Sequence, residues 1–429
     1  MGRKEERVKN KLAKNPMKEI NKIQKKYFPY LFQKFEKISD PRHQSYTTYS
    51  SKTMLGTLYY KDITGISSMR QMNSNFNNET AVKNIYKFLG EDKQEFLPHG
   101  TTENDFLERL NPKELEKINK KMVYDIIRRK TFDNARVLGK WLVIVDGTEL
   151  DEGFKDKNDN YLSRTYNKGT ENEFTKYHRS ILEAKIVLNN EVVASIASET
   201  IENLDEYENQ SEGVKKQDCE SKAFKRLAKK LKKSFPRLPI IIAADSLYVS
   251  HDVMDICEKN DWDFIIRYKE GSAKTIAEEY RLLPERNHVG QDIEYQNDIV
   301  FGDREINLIK YSDEKNSKYF DWITNIEITK DNAKRIVEAG RNRWKIENQG
   351  FNRQKHWSEN IEHACSWDEV AQKNHYLMAQ IVDFIRQLYE YFALKKADIF
   401  KTFDTIKQEL LFDLIYIFHE ENTNTVMTT

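Results

Sequence analysis

Two aspartates in this chain share a context that suits chemistry. Asp146 follows the apolar run WLVIV, and Asp245 follows PIIIAA. Each run reads as a short buried strand that ends at its aspartate. In an open α/β sheet, chemistry gathers outside the strand ends, where the loops begin. Two such strands side by side would bring both carboxylates within reach of one ion. A half-buried carboxylate pair repels itself unless it is protonated or bound to a cation. A hard divalent cation with oxygen ligands is the usual solution. Either aspartate would equally serve to start a turn or cap the next helix. A third carboxylate, Glu347, lies in RNRWKIENQGFNRQKHW, four residues after Arg343 and eight before Lys355. On a helix these three fall on roughly one side. A Glu between basic residues fits a metal ligand flanked by phosphate contacts. An ordinary Arg343–Glu347 pair at i,i+4 accounts for the same spacing.

The elements that must hold these residues follow from the apolar spacing. Residues 1–135 read as helical, with Ile20, Ile23, Tyr27 and Leu31 at helical intervals. Within them, SSMRQMNSNF and NNETAVKNIYKFLG form two short helices with a polar turn, and Asn78 offers cap chemistry. Such a pair resembles a helix-turn-helix, and it is equally a common structural unit. From about Lys140 the pattern becomes α/β. After WLVIVDGTEL comes a polar stretch to about Arg179, read as a loop, then SILEAKIVLNNEVVASIASE as two strands around Asn189-Asn190. A basic amphipathic helix (218–234), the Asp245 strand, a helix near 252–259 and the strand DWDFIIRYK complete residues 136–270. Residues 271–328 alternate apolar and polar residues and read as a β-rich insertion. Residues 329–420 read as helical, and 421–429 as a disordered tail. The fold class is therefore α/β with a mixed sheet.

Charge and composition narrow the functional classes. Among 429 residues, 70 are basic and 69 acidic, a net charge of +1. The balance hides a basic arm: residues 1–37 hold twelve Lys or Arg and four Glu, which suits a polyanion or else a solvated amphipathic helix. Aromatic residues at 12% argue against wholesale disorder. No run of apolar residues is long enough to span a membrane, and the first residues lack the apolar stretch of a signal peptide. Cys219, Cys257 and Cys365 are too scattered for a disulfide framework or a paired-cysteine zinc motif, so a reducing, cytoplasmic setting is expected. His178, His356 and His363 show no ligand spacing and read as ordinary surface or core histidines.

Taken in order, Asp146 in VIVDGTEL, Asp245 in IIIAADSLY and Glu347 in RWKIENQGF resemble the three acidic motifs of bacterial insertion-sequence DDE transposases. The resemblance is to the branch with a β-rich insertion before the glutamate, and it covers about residues 140–360. It implies a ribonuclease-H-like catalytic core at 136–270 and 329–420, an insertion at 271–328 and a helical DNA-binding domain at 1–135. It implies that Asp146, Asp245 and Glu347 are catalytic. Asp146 would bridge two Mg²⁺ ions, or Mn²⁺ in their place, while Asp245 and Glu347 each complete one coordination sphere. The expected partners are double-stranded DNA, as transposon ends and target, and a second copy of the chain on that DNA; no membrane is expected. The expected location is the cytoplasm, at the nucleoid. The branch's signature at the third motif places Tyr, Arg, Glu and Lys at fixed spacing. Arg343 and Glu347 match it, while Gly340 and Gln354 stand at the Tyr and Lys positions. The Lys role would pass to Lys355 or Arg353. Trp322 resembles in placement a tryptophan that these enzymes insert beside a flipped base, and it equally reads as a core tryptophan. Lys225 and Lys229, on the basic helix, would touch phosphates. Arg164, Lys168, Lys176 and Arg179, interleaved with Tyr161, Tyr166 and Tyr177, would suit a distorted strand.

Two other functions fit parts of the same sequence. A non-catalytic DNA-binding relic or regulator would fit the Gly340 and Gln354 departures. A phosphoryl-transfer enzyme with Asp146 as nucleophile would want a second Asp where Thr148 stands.

Overall fold

The computed structural model describes residues 15–43, 45, 47–157, 160–203, 217–283, 285–313, 317–357 and 360–419. Residues 1–14 of the basic arm and the tail 421–429 lie outside the described residues. The chain divides into two units, one of Met1–Met122 with Gln354–Thr429, the other of Val123–Arg353. The segment read from sequence as 329–420 is thus shared between the units, at Gln354.

The first unit is helical. It begins with α1 (Pro16–Tyr27), α2 (Leu31–Glu36), α3 (Ser51–Ile63), α4 (Met69–Phe76), α5 (Glu79–Leu89), α6 (Gly100–Leu107) and α7 (Lys113–Arg128), whose end enters the second unit. Pro16 suits the first turn of α1, where its missing N–H costs nothing. Met17, Ile20 and Tyr27 bury one stripe of that helix, and the Met17 N–H donates to Asp413 Oδ2 at 2.7 Å. The described end of the basic arm is therefore a packed amphipathic helix. The helices α4 and α5 start where sequence placed them. Ser68 Oγ accepts the Gln71 N–H at 3.2 Å, and Asn78 Oδ1 accepts the Ala81 N–H at 3.0 Å.

The second unit is built on one ten-stranded mixed sheet. Its strands are β1 (Trp141–Gly153), β2 (Leu162–Tyr166), β3 (Phe174–Val187), β4 (Val193–Ile201), β5 (Ile240–Ala244), β6 (Asp263–Tyr268), β7 (Asn287–Val289), β8 (Ile293–Phe301), β9 (Arg304–Asp313) and β10 (Lys318–Thr324). The order is β2-β3-β1-β5-β6-β10-β9-β8-β7, with β4 also paired to β3. β4, β3 and β1 are antiparallel, whereas β1, β5 and β6 run parallel. Three meandering strands followed by two parallel ones form a ribonuclease-H-like sheet. The crossover helices are α8 (Glu220–Ser234) and α9 (His251–Lys259). Helices α10 (Lys274–Leu282) and α11 (Ala333–Arg341) follow. All of Trp141–Val145 and Ile240–Ala244 are buried, as expected of strands covered on both faces.

Three sequence expectations change here. The polar stretch before Arg179 is not a loop. β1 runs on to Gly153 beside the start of β3, and β2 pairs with the other edge of that same stretch of β3, so the three form a ribbon. The alternation hid this because charged side chains occupy both faces: Arg164 pairs with Glu149, Lys176 with Glu152 and Arg179 with Asp151. Asp146 consequently lies within β1 and does not end it. The insertion does contain strands, but α10 opens it, and β10 pairs with β6, so it prolongs the main sheet.

One sheet face is covered by α11 and the helical turns after it. Ile336, Val337, Ala339, Ile346 and Phe351 pack with Leu142, Ile144, Ile241, Ala243 and Ile265 in one core cluster. Thr329 and Asn332 fix the start of α11: each side chain accepts the other's backbone N–H, at 2.9 and 3.3 Å. The chain returns to the first unit for α12 (Glu369–Tyr389) and α13 (Phe403–Tyr416). Among the described residues, no helix is long and apolar enough to cross a membrane.

Candidate active site

The sheet register explains how two residues 99 positions apart come level. β1 and β5 pair in parallel up to Ile144 and Ala243. Two residues further along each chain stand Asp146 and Asp245. Side chains two apart point the same way in a strand. Asp146 therefore faces with Leu142 and Ile144, and Asp245 leaves its strand on the side of Ile241 and Ala243. That is the face on which α11 and its continuation lie. The helical run after α11 is irregular, with a 3₁₀ turn at Asn342–Trp344 and a π turn at Glu347–Phe351. Such π turns recur at functional sites. Buried Ile346, Gly350 and Phe351 pin this segment, so that Glu347, half-buried, is carried to the same end of the strands.

The Asp146 carboxyl is the electrostatic centre. Its Oδ1 accepts the Gly147 N–H at 3.1 Å, and its Oδ2 accepts from Arg343 Nη1 at 2.9 Å. Burial pushes its pKa up to about 7; Arg343 pulls against that, and the charges of Asp245, Glu220 and Glu347 add to it. Both of the other sequence-read carboxylates thus act on Asp146. Arg343 does not make the i,i+4 pair with Glu347 that the spacing allowed. Its ion pair crosses to Asp146 on the sheet, and its guanidinium also lies 4.8 Å from the Trp344 ring. Asp245 Oδ1 accepts the Leu247 N–H at 2.9 Å and caps the turn Ser246–Tyr248. The cap reading of Asp245 is therefore realised together with its place at the strand end.

Glu220 and Tyr248 were missed. Glu220 opens α8, a helix read only for its lysines, and Tyr248 closes the turn that follows Asp245. The Tyr248 hydroxyl donates to Glu220 Oε2 at 2.9 Å. Burial raises the Glu220 pKa, the Tyr248 hydrogen bond lowers it, and Asp245 raises it further. The one available signal was an acid at the head of an otherwise basic helix.

The other residues singled out from sequence lie elsewhere. Trp322 is only 2% exposed and stands in the core cluster, stacked on Phe320 with ring centroids 5.7 Å apart. Its burial matches the core-tryptophan reading. Its ring also fills the space beside Gly340, the signature's Tyr position: a Cβ there would lie 2.5 Å from Trp322 Nε1. Gln354, at the Lys position, is fully buried in the first unit and donates to Gln380 Oε1 and Asp383 Oδ2, both at 2.9 Å. Arg353 is buried, and Lys355 pairs with Glu362 at 2.9 Å. On α8, Ala223, Phe224, Leu227, Ala228 and Leu231 face inward. Arg226 and Lys230 are tied to Glu199 on β4. Lys225 and Lys229 are exposed on the outer face, Lys225 in a solvent-side pair with Asp252. His178 is buried in the ribbon, which lowers its pKa.

The donor set suits a hard cation. Asp146, Asp245 and Glu347 offer only carboxylate oxygens, the donors a hard cation prefers. Burial, with added repulsion from Asp245, Glu220 and Glu347, disfavours the charged form of Asp146, and a cation would relieve both. Among the described residues, no group of three or more His, Cys, Asp or Glu side chains is gathered closely enough to hold a metal ion. Arg343 supplies the positive charge at Asp146 Oδ2 in this arrangement.

Comparison with known proteins adds the following. Residues 214–379 match the family described as the transposase DDE domain. The match includes Asp245 and Glu347, and Asp146 precedes it. A solved structure described as the piggyBac transposase synaptic complex with hairpin DNA is similar at a TM-score of 0.42 and 12% sequence identity, over 92% of this chain and 79% of that one. No curated protein matches the chain.

Proposed function

From a chain whose residues 214–379 match the transposase DDE domain, we propose a DNA transposase in which Asp146, Asp245 and Glu347 are the catalytic carboxylates. It cuts the ends of its own element and joins them to target DNA. The observation that carries this is the placement of the three acids: Asp146 and Asp245 come from adjacent parallel strands and Glu347 from the helical run over the same face, and the charges of Asp245 and Glu347 both act on Asp146.

Asp146, Asp245 and Glu347 would hold divalent cations, Mg²⁺ or Mn²⁺. Such ions supply Lewis acidity for the attacking and leaving oxygens of a phosphodiester. The chain's own residues do the rest. The carboxylates fix the geometry, and the buried wall of Leu142, Ile144, Ile241 and Ala243 keeps it rigid. Arg343, released from Asp146, is free to meet a phosphate oxygen. A water then opens one strand at the element's end by displacing its 3′-oxygen, and the freed 3′-hydroxyl attacks a phosphate of the target, joining to it as the target strand's 3′-oxygen leaves and takes up a proton. Exposed Lys225 and Lys229 on α8 position the duplex by its phosphates. Two ends must be joined together, so the working form on DNA is a homodimer.

A second reading, a relic that binds element ends without cutting, draws on Gln354. At the signature's Lys position stands a side chain bound into a buried network. Cleavage of a labelled duplex carrying the element's own end separates the two. Cation-dependent cleavage at the boundary, abolished by EDTA, supports the enzyme. A shifted band without cleavage supports the relic.

A further inference from the structure

Gly147 opens a window in the wall behind Asp146. Its neighbour faces the site, so position 147 faces the opposite side of the sheet. There the Glu220 carboxylate lies where a side chain would begin: a Cβ on Gly147 would stand 2.6 Å from both Glu220 Cδ and Oε1. Real side chains do not approach so closely, so a side chain at this position would displace the carboxylate from where it lies. On its other oxygen Glu220 accepts the Tyr248 hydroxyl at 2.9 Å. Tyr248 is 2% exposed and packs edge-on against Phe224 of α8, ring centroids 5.6 Å apart. Tyr248 also closes the turn that Asp245 caps. One carboxylate at the head of α8 therefore touches the residue after Asp146 and holds the turn after Asp245.

Building on the proposed function, we infer that Glu220 is a positioning residue of the three-carboxylate site. Acting through Gly147 and Tyr248, it keeps the two aspartates level on their adjacent strands and adds a negative charge behind them that strengthens divalent-cation binding. It does not itself touch DNA. Partners that orient metal ligands typically cost 10–100-fold in metal affinity when removed.

The test is Mn²⁺ binding to the full-length protein, read by the electron paramagnetic resonance signal of free Mn²⁺, for wild type, Glu220→Gln and Tyr248→Phe. Glu220→Gln keeps an acceptor for Tyr248 and removes only the charge. Its Mn²⁺ Kd should rise about tenfold or more. Its thermal midpoint in EDTA should not fall, because a repelling charge has gone; a merely structural role would lower it. Cleavage by this variant should shift to higher Mn²⁺ concentration and recover there. Tyr248→Phe, which keeps the ring and its packing, should weaken Mn²⁺ in the same direction and by less. Wild-type Mn²⁺ affinity in both variants would overturn the role of Glu220 and leave the three-carboxylate reading standing. A wild-type protein that neither binds Mn²⁺ nor cleaves would overturn both.

Discussion

Substituting Gly340 by alanine sets two effects of opposite sign against each other. Gly340 is helical and buried near the end of α11. By propensity alone, Ala for Gly in a helix stabilises by about 1 kcal/mol. By packing, the new methyl would lie 2.5 Å from Trp322 Nε1 and 2.8 Å from Cδ2. Ordinary contact is roughly 3.5 Å or more, so helix or ring must shift by about 1 Å. The ring is held by its stack on Phe320 and by the Arg267 guanidinium 5.5 Å from it. Overpacking of this kind costs about 1–3 kcal/mol. Packing should win, with Gly340→Ala net destabilising by about 1–2 kcal/mol. In a Trp322→Leu background the space opens, and the same change should become neutral or stabilising. Urea unfolding of the four proteins reads the coupling, expected at about 1–3 kcal/mol. Arg343 and Glu347 follow on the same helical run, and a misplacement of about 1 Å can cost roughly 10²-fold in rate. Cleavage by Gly340→Ala should fall accordingly. Stabilisation by Gly340→Ala in both backgrounds, with full activity, would refute the packing argument.

Two further outcomes are expected. Glu103 is fully buried, and among the described residues neither oxygen has a hydrogen-bond partner; burial holds its pKa well above the usual carboxylate range, against the pull of Arg42 and Lys61. A raised folded-state pKa contributes stability at low pH that is lost as pH rises through it. Glu103→Gln should therefore match wild type near pH 4 and be the more stable protein at pH 8, by thermal unfolding across that range; parallel curves would contradict this. Removing Lys225 and Lys229 together, as alanines, should leave thermal stability nearly unchanged, because both are exposed. It should lower the log–log salt slope of DNA binding by up to about two, near 0.9 per phosphate contact; an unchanged slope would exclude α8 from the DNA surface.

Sequence was most informative where burial on both faces forces a run of apolar residues. WLVIV and PIIIAA announced two central strands, and the aspartate after each run marked where burial ends. The cap Asn78 was equally legible, because few residue types satisfy a helix start. The β1–β2–β3 ribbon was not, since exposed strands with cross-strand ion pairs look like polar loops. Spacing along the helix suggested an Arg343–Glu347 pair, and only the sheet beneath it shows that Arg343 reaches Asp146. Glu220 was invisible for the same reason: its partner at Gly147 is 73 residues away and is defined by a missing side chain. Buried Gln354 shows how a departure from a signature finds its reason in packing with Gln380 and Asp383.

The most direct test compares end-DNA cleavage and end-DNA binding for wild type, Asp146→Asn, Asp245→Asn and Glu347→Gln in the presence of Mg²⁺ or Mn²⁺. Each variant should bind the labelled end about as well as wild type and cut it at no measurable rate, because only a ligand charge has been removed. Near-wild-type cleavage by any one of the three would remove that residue from the site and contradict the three-carboxylate account.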